Sequence, residues 1–186
     1  MQSRGLLMIE HRLIERMISH VKIALGRIPR EGGVDPRFID IVVDFVRTYA
    51  DRTHHGKEED LLFRALASRP LSDHDRRVMG ELIREHVFGR QQTQALVAAN
   101  ERYRKGDQDA LADVSKALHT LVDFYPTHIL KEDRIFFPAA RTYFTEDEDK
   151  ALLAAFNEFD RTMIHEKYRS VVMSLEQDKG GPDKSM

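Results

Sequence analysis

Two stretches of the chain share one arrangement of side chains capable of coordination chemistry. They are His54-His55-Gly56-Lys57-Glu58-Glu59-Asp60-Leu61-Leu62-Phe63 and His128-Ile129-Leu130-Lys131-Glu132-Asp133-Arg134-Ile135-Phe136-Phe137-Pro138. In each, a His precedes a Glu by four residues, a Lys stands just before that Glu, and an apolar pair follows the Glu at plus four and plus five. Residues four apart share a helix face, so each copy presents an imidazole beside a carboxylate. His11 and His86, in other helical segments, complete a set of four His (His11, His54, His86, His128) and two Glu (Glu58, Glu132). That is an inventory for a pair of transition-metal ions. A single His-x-x-x-Glu is ordinarily a surface pair worth about 0.2–0.5 kcal/mol. Here the motif recurs with the same flanks, beside apolar stripes that also carry His11 and His86.

Ionisable groups on an apolar stripe need compensation. A buried ionised Glu without a partner costs several kcal/mol, and two facing each other cannot both ionise freely. Divalent ions neutralise the carboxylates, use the imidazole nitrogens and contribute to the folding free energy. The chain has no Cys, so disulfides, thiolate sites and cysteine nucleophiles are excluded. A site of N and O ligands favours iron, with manganese or zinc as substitutes. Two bridging Glu and four terminal His leave coordination positions open for water, O2, NO or peroxide. Open positions suit iron better than a closed structural zinc.

The elements that must position these residues are helices. The first apolar stripe, Leu7, Ile14, Ile18, Val21 and Leu25, contains His11 and predicts a helix over 3–27, broken by Pro29, Gly32 and Gly33. Asp35-Pro36 reads as N-cap and first helical residue of a second helix reaching Ser68, with Phe38, Ile41, Val42, Phe45 and Tyr49 inward. Ser72 caps a third helix to Lys105, with Met79, Leu82, Ile83, Leu96 and Val97 on the side of His86. Gly106-Asp107 closes it and caps a fourth, to Tyr143. Its stripe is Leu111, Val114, Leu118, Leu121, Tyr125, His128, Glu132, Ile135 and Ala139, so the metal-type residues continue the core register unbroken. Thr145-x-x-Glu148 is a capping box opening a fifth helix of about 30 residues. Short breaks make consecutive helices antiparallel neighbours. The expectation is an all-α protein: an up-down-up-down antiparallel four-helix bundle, with a fifth helix packed outside it or mediating a homodimer. One domain over 1–178 and a disordered tail over 179–186 complete the organisation.

With these elements in place, the chain resembles the hemerythrin-like (HHE cation-binding) family. The matching elements are Glu10-His11-Arg12, HHGKEEDLLF in helix two, Glu85-His86-x-x-Gly89-Arg90 in helix three and HILKEDRIFFP in helix four, and the likeness runs from about Met8 to Tyr143. The resemblance implies a four-helix bundle with a non-haem di-iron centre. It further implies terminal ligands His11, His54, His86 and His128 and bridging Glu58 and Glu132. The implied roles are O2 binding or sensing, NO and oxidative-stress responses, and repair of iron–sulfur centres. Oxygen-carrying members place a second His four residues after the helix-three His. Here that residue is Arg90, which moves the reading from a reversible O2 carrier toward the sensing and repair branch.

Helix two holds two registers. The flanking pattern selects His54 and Glu58, whereas core spacing from Phe38 through Phe45 lands on Glu59 with His55 beside it. An inserted residue before His54, a π-bulge, reconciles them, and the flanks are taken as deciding. Arg90 is placed either as a hydrogen-bond partner of a ligand carboxylate or in solvent one turn beyond the site. His20, His74, His119 and His165 lack the repeated context and are assigned to the surface or an interface. Pro126 frees the carbonyl of Val122, which predicts a kink in helix four.

Balanced charge (29 Lys+Arg, 31 Asp+Glu, net −2) offers no basic surface for nucleic acid. No apolar run reaches the ~18 residues of a membrane span, and the expected location is cytoplasmic. Three functions fit: a di-iron protein binding O2 or NO in sensing or stress response; a di-iron oxidoreductase acting on peroxide or NO, or an iron donor for iron–sulfur repair; and a structural metal-binding helical module. No G-x-G-x-x-G nucleotide fingerprint is present.

Overall fold

The computed structural model describes residues 2–178, and every regular element among them is helical. The tail expected to be disordered lies outside the described residues. Helix α1 is Ser3–Glu31. Helix α2 covers 36–67 without interruption. It joins an α-helical start (Pro36–Phe45), a π-helical stretch (Val46–His55), a second π stretch (Glu58–Phe63) and a closing turn (Arg64–Ala67). Helix α3 is Asp73–Arg104. Helix α4 covers 110–141, with Ala110–Lys131 and Phe137–Arg141 flanking a π stretch, Glu132–Phe136. Helix α5 is Glu146–Asp178.

The caps follow from side-chain chemistry. Asp35 accepts from Arg37 N with Pro36 at the first turn. Ser72 Oγ accepts from Asp75 N at 3.1 Å. Thr145 and Glu148 cap each other's backbone N–H, at 3.3 and 2.8 Å. Two boundaries differ from expectation. Helix α1 runs through Pro29, whose ring removes one backbone hydrogen bond. It stops at Gly32, whose φ of 71° turns the chain and lets its N–H bond the Ile28 carbonyl. Helix α4 starts at Ala110 rather than Asp107, because 107–109 form a turn closed by Ala110 N on Asp107 O. Helix α4 continues through Pro126.

Polar pairs fix which helices are neighbours. Asp40 meets Arg104, Asp51 meets Arg90 and Glu59 meets His86, so residue numbers rise along α2 as they fall along α3. Glu85–Lys131 and Arg102–Asp113 relate α3 and α4 in the same opposed sense.

Two apolar cores lie at different levels. One joins Ile14, Ile18, Val21, Val42, Val46, Leu96, Leu118, Leu121 and Tyr125. The other joins Leu7, Leu62, Phe63, Leu82, Phe136, Phe137 and Phe156. The stripe of α1 is buried as expected. In α2 the inward set is Ile39, Val42, Val43 and Val46, and Ile41 is 61% exposed. In α3, Ile83 turns outward. In α4 the register shifts by one after Glu132: Phe136 and Ala140 are buried and Ile135 is exposed. The π stretch explains that shift, since each π turn accommodates one extra residue.

Helix α5 packs against α1 and α2. Phe156 is fully buried in the second core, and Phe159 lies over Gly56, where a Cβ would come within 2.8 Å of the ring. Arg69–Glu148 (2.6 Å), Arg52–Glu166 (3.3 Å) and Lys167–Asp44 (3.0 Å) tie α5 along α2 and the turn that follows it. Phe156→Ala is therefore expected to cost about 3–5 kcal/mol in urea unfolding, whereas Ile164→Ala, 59% exposed, changes stability by about 0.5 kcal/mol or less. Equal small effects from both would show that α5 is not part of the core.

Candidate metal centre

Between the two cores lies a slab of buried imidazoles and carboxylates. His11 comes from α1, His54, His55 and Glu58 from α2, His86 from α3, and His128 and Glu132 from α4. All seven are at most 2% exposed. The π stretch Val46–His55 brings both His54 and His55 to the inside, which a regular α-helix cannot do for adjacent residues. Of the two competing carboxylates in α2, Glu58 faces the centre and Glu59 stands at its edge, 27% exposed.

Each imidazole uses Nδ1 on an outer carboxylate. His11 bonds Asp133 (2.7 Å), His54 bonds Glu10 (2.8 Å), His55 bonds Asp51 (3.3 Å), His86 bonds Glu59 (2.7 Å) and His128 bonds Glu85 (2.8 Å). An ionised carboxylate only accepts, so Nδ1 carries the proton, and Nε2 of the neutral ring keeps its lone pair. The outer carboxylates are held in turn by cations: Asp133 by Arg12, Glu10 by Lys57, Glu85 by Lys131, and both Asp51 (2.8 Å) and Glu59 (2.7 Å) by Arg90. Arg90 thus sits one layer outside the imidazoles and touches neither Glu58 nor Glu132. Each outer carboxylate but Asp51 adjoins an inner residue in sequence (Glu10-His11, Glu58-Glu59, Glu85-His86, Glu132-Asp133). This adjacency is the signal that sequence reasoning missed. His20, His74, His119 and His165 are exposed.

The two inner carboxylates span the imidazoles. Glu132 has Oε2 3.1 Å from His11 Nε2 and Oε1 3.3 Å from His128 Nε2 and 3.6 Å from His86 Nε2. Glu58 has Oε1 3.5 Å from His54 Nε2 and Oε2 3.4 Å from His86 Nε2. Inward-facing donor atoms fall into two groups, His11, His54, Glu58 and Glu132 in one and His55, His86 and His128 in the other, each within 4.8 Å of one another. Nε2 of His11, His54, His86 and His128 and all four oxygens of Glu58 and Glu132 are buried without a hydrogen-bond partner. Each such orphan costs about 1–3 kcal/mol. Lone pairs aimed at shared points are what cations satisfy, so the donor set fits metal ions.

The field inside the slab is uneven. Burial pushes Glu58 well above the usual carboxyl range, and the facing Glu132 adds to it. Burial acts in the same direction on Glu132 but is outweighed by His128, His11 and His86, which hold it well below that range. Burial would lower His11, yet Asp133 and Glu132 raise it to about 9. Burial lowers His54 to about 4, and burial together with His86 and His128 lowers His55 well below its ordinary value.

The match to known families settles the general class. The hemerythrin HHE cation-binding domain matches residues 4–140, covering α1 to α4 and stopping short of α5. This chain belongs to that family. Among curated proteins and among solved structures, none matches it. As an HHE domain it has a cation-binding assignment that its buried His and Glu groups fit. No helix among the described residues is long and apolar enough to cross a membrane.

Without metal, His11 holds a second proton at neutral pH, because it titrates at about 9, and burial beside Glu132 biases Glu58 toward its protonated form. A cation must displace these protons, so binding releases protons and tightens as pH rises from about 6 to about 8. Calorimetric titration in two buffers of different ionisation enthalpy measures the release. Proton uptake, or affinity that weakens over that range, would contradict the arrangement.

Proposed function

We propose that the chain holds two transition-metal ions, iron foremost, between Glu58 and Glu132, and uses them to bind or react with O2, NO or peroxide in sensing or in an oxidative or nitrosative stress response. The supporting observation is that each of the two carboxylates directs one oxygen at each imidazole group. In this reading His11 and His54 would hold one ion, His86 and His128 the other, and Glu58 and Glu132 would contribute to both. His55 joins His86 and His128, its ring stacked on His86 at 3.9 Å between centroids. It thereby supplies the fifth imidazole that oxygen carriers draw from the position of Arg90, so the arginine no longer argues for a depleted ligand set. The first four helices are read as the up-down-up-down bundle of the family, which the opposed α2–α3 and α3–α4 pairs support.

Access favours ligand exchange over a sealed structural ion. A cavity of about 180 Å³ is lined by Val46, Asp51, His55, Gly89, Arg90 and Tyr125 among others. Tyr125 is 2% exposed. A phenol and a guanidinium beside an imidazole suit a small polar guest. The chain's own groups orient the imidazoles, hold a proton at His11, and pack Phe63, Phe136 and Phe137 against the centre. When bound, iron would supply the redox chemistry that none of these side chains possesses.

The test is anaerobic loading with ferrous iron followed by O2, NO or peroxide. The expected result is two irons per chain and new absorption at the ultraviolet–visible boundary. Trace iron and a colourless protein would contradict the proposal. His128→Ala should reduce iron content and lower the melting temperature of the loaded protein, with a much smaller change in the metal-free protein, where it removes an orphaned Nε2. A variant with unchanged iron content would remove His128 from the ligand set.

A further inference from the structure

The two halves of the centre are built alike. Glu10 of α1 accepts from His54 and Lys57 of α2, and Glu85 of α3 accepts from His128 and Lys131 of α4. Their outer shells differ. Lys131 is 23% exposed and shares its charge with Glu81 at 3.3 Å, on the surface. Lys57 is fully buried, and its second partner is Asp160 of α5 at 2.6 Å. A fully buried ammonium is tolerated only with charged partners, and α5 supplies one of its two. Two further features show that this contact is built rather than incidental. Gly56 leaves the space that Phe159 occupies, whereas the corresponding residue in α4 is Leu130, 58% exposed. Helix α5 also lies beyond the residues matched by the family.

We propose that Asp160 is a positioning residue through which α5 strengthens the metal position served by His54, making the two positions of the centre unequal. The route is Asp160, Lys57, Glu10, His54. With Asp160 present, Lys57 divides its charge between two carboxylates, and Glu10 keeps more of its negative field for the His54 Nδ1–H. That field makes Nε2 a better donor to a cation. With Asp160 neutralised, Lys57 is left to Glu10 alone, the field on His54 weakens, and the cation at His54 is held less tightly. His128 has no such dependence on α5. The inference rests on the two-ion reading above and adds to it a control element outside the family's domain.

The test uses the full chain loaded with ferrous iron under anaerobic conditions and records release to a colorimetric chelator. In Asp160→Asn, which keeps an oxygen for Lys57 and so preserves docking of α5, one of two release phases should accelerate about ten-fold, the lower end for outer partners of a metal ligand, while the other stays within about two-fold. Asp160→Glu should restore the wild-type trace. Iron-edge diffraction on partly stripped Asp160→Asn crystals should show the remaining ion beside His86 and His128. Ile164→Ala, at an exposed position of the same helix, should leave both phases unchanged. If the asparagine variant does not fold, Asp160→Ser removes the same charge and leaves room for water at Lys57. Unchanged release, equal acceleration of both phases, or failure of glutamate to restore the trace would overturn the inference. A wild-type chain that never takes up two irons would instead overturn the two-ion reading, and the inference with it.

Discussion

Four imidazole nitrogens and four carboxylate oxygens lie in the middle of this protein with no hydrogen-bond partner among the described residues. At about 1–3 kcal/mol for each unpaired buried polar group, such a set is comparable in size to the whole stability of a typical domain. The chain removes every alternative partner. Outer carboxylates occupy each Nδ1, apolar cores close the slab on two sides, and the two Glu face the imidazole Nε2 atoms. The cation requirement follows from that exclusion more than from any single His or Glu.

Bringing seven such groups to one level requires the backbone to depart from regular helix. Adjacent residues on an α-helix point about 100° apart, so His54 and His55 cannot both face inward from a regular turn. The widened π turns over Val46–His55 solve this, and those over Glu58–Phe63 and Glu132–Phe136 reset the register after each Glu. Widened turns are a known accompaniment of functional sites.

This departure also sets what could be read from the sequence. The helices, their caps and the inner residues were legible because apolar spacing, Asp35-Pro36, Ser72 and the Thr145–Glu148 box act locally. The conflict between two registers in α2 was visible too, and a π insertion before His54 answers it. What periodicity could not resolve was that both His54 and His55 turn inward. Nor did it show the slip after Glu132, since Ile135-Phe136-Phe137 offers an apolar residue in either register. The outer carboxylates escaped because each looks like an ordinary surface acid beside an inner His or Glu. Their role exists only across helices, as with Glu10 on His54 or Glu59 on His86. Asp160 is hidden further still, since nothing local in α5 points to Lys57, some hundred residues away.

The most direct measurement of the central claim is iron-edge anomalous diffraction from crystals of the iron-loaded chain. Two peaks are expected, one among His11, His54, Glu58 and Glu132 and one among His86, His128 and His55, with both carboxylates shared between them. A lone peak outside this slab, or none with the Nε2 atoms bonded instead to ordered water, would contradict the claim.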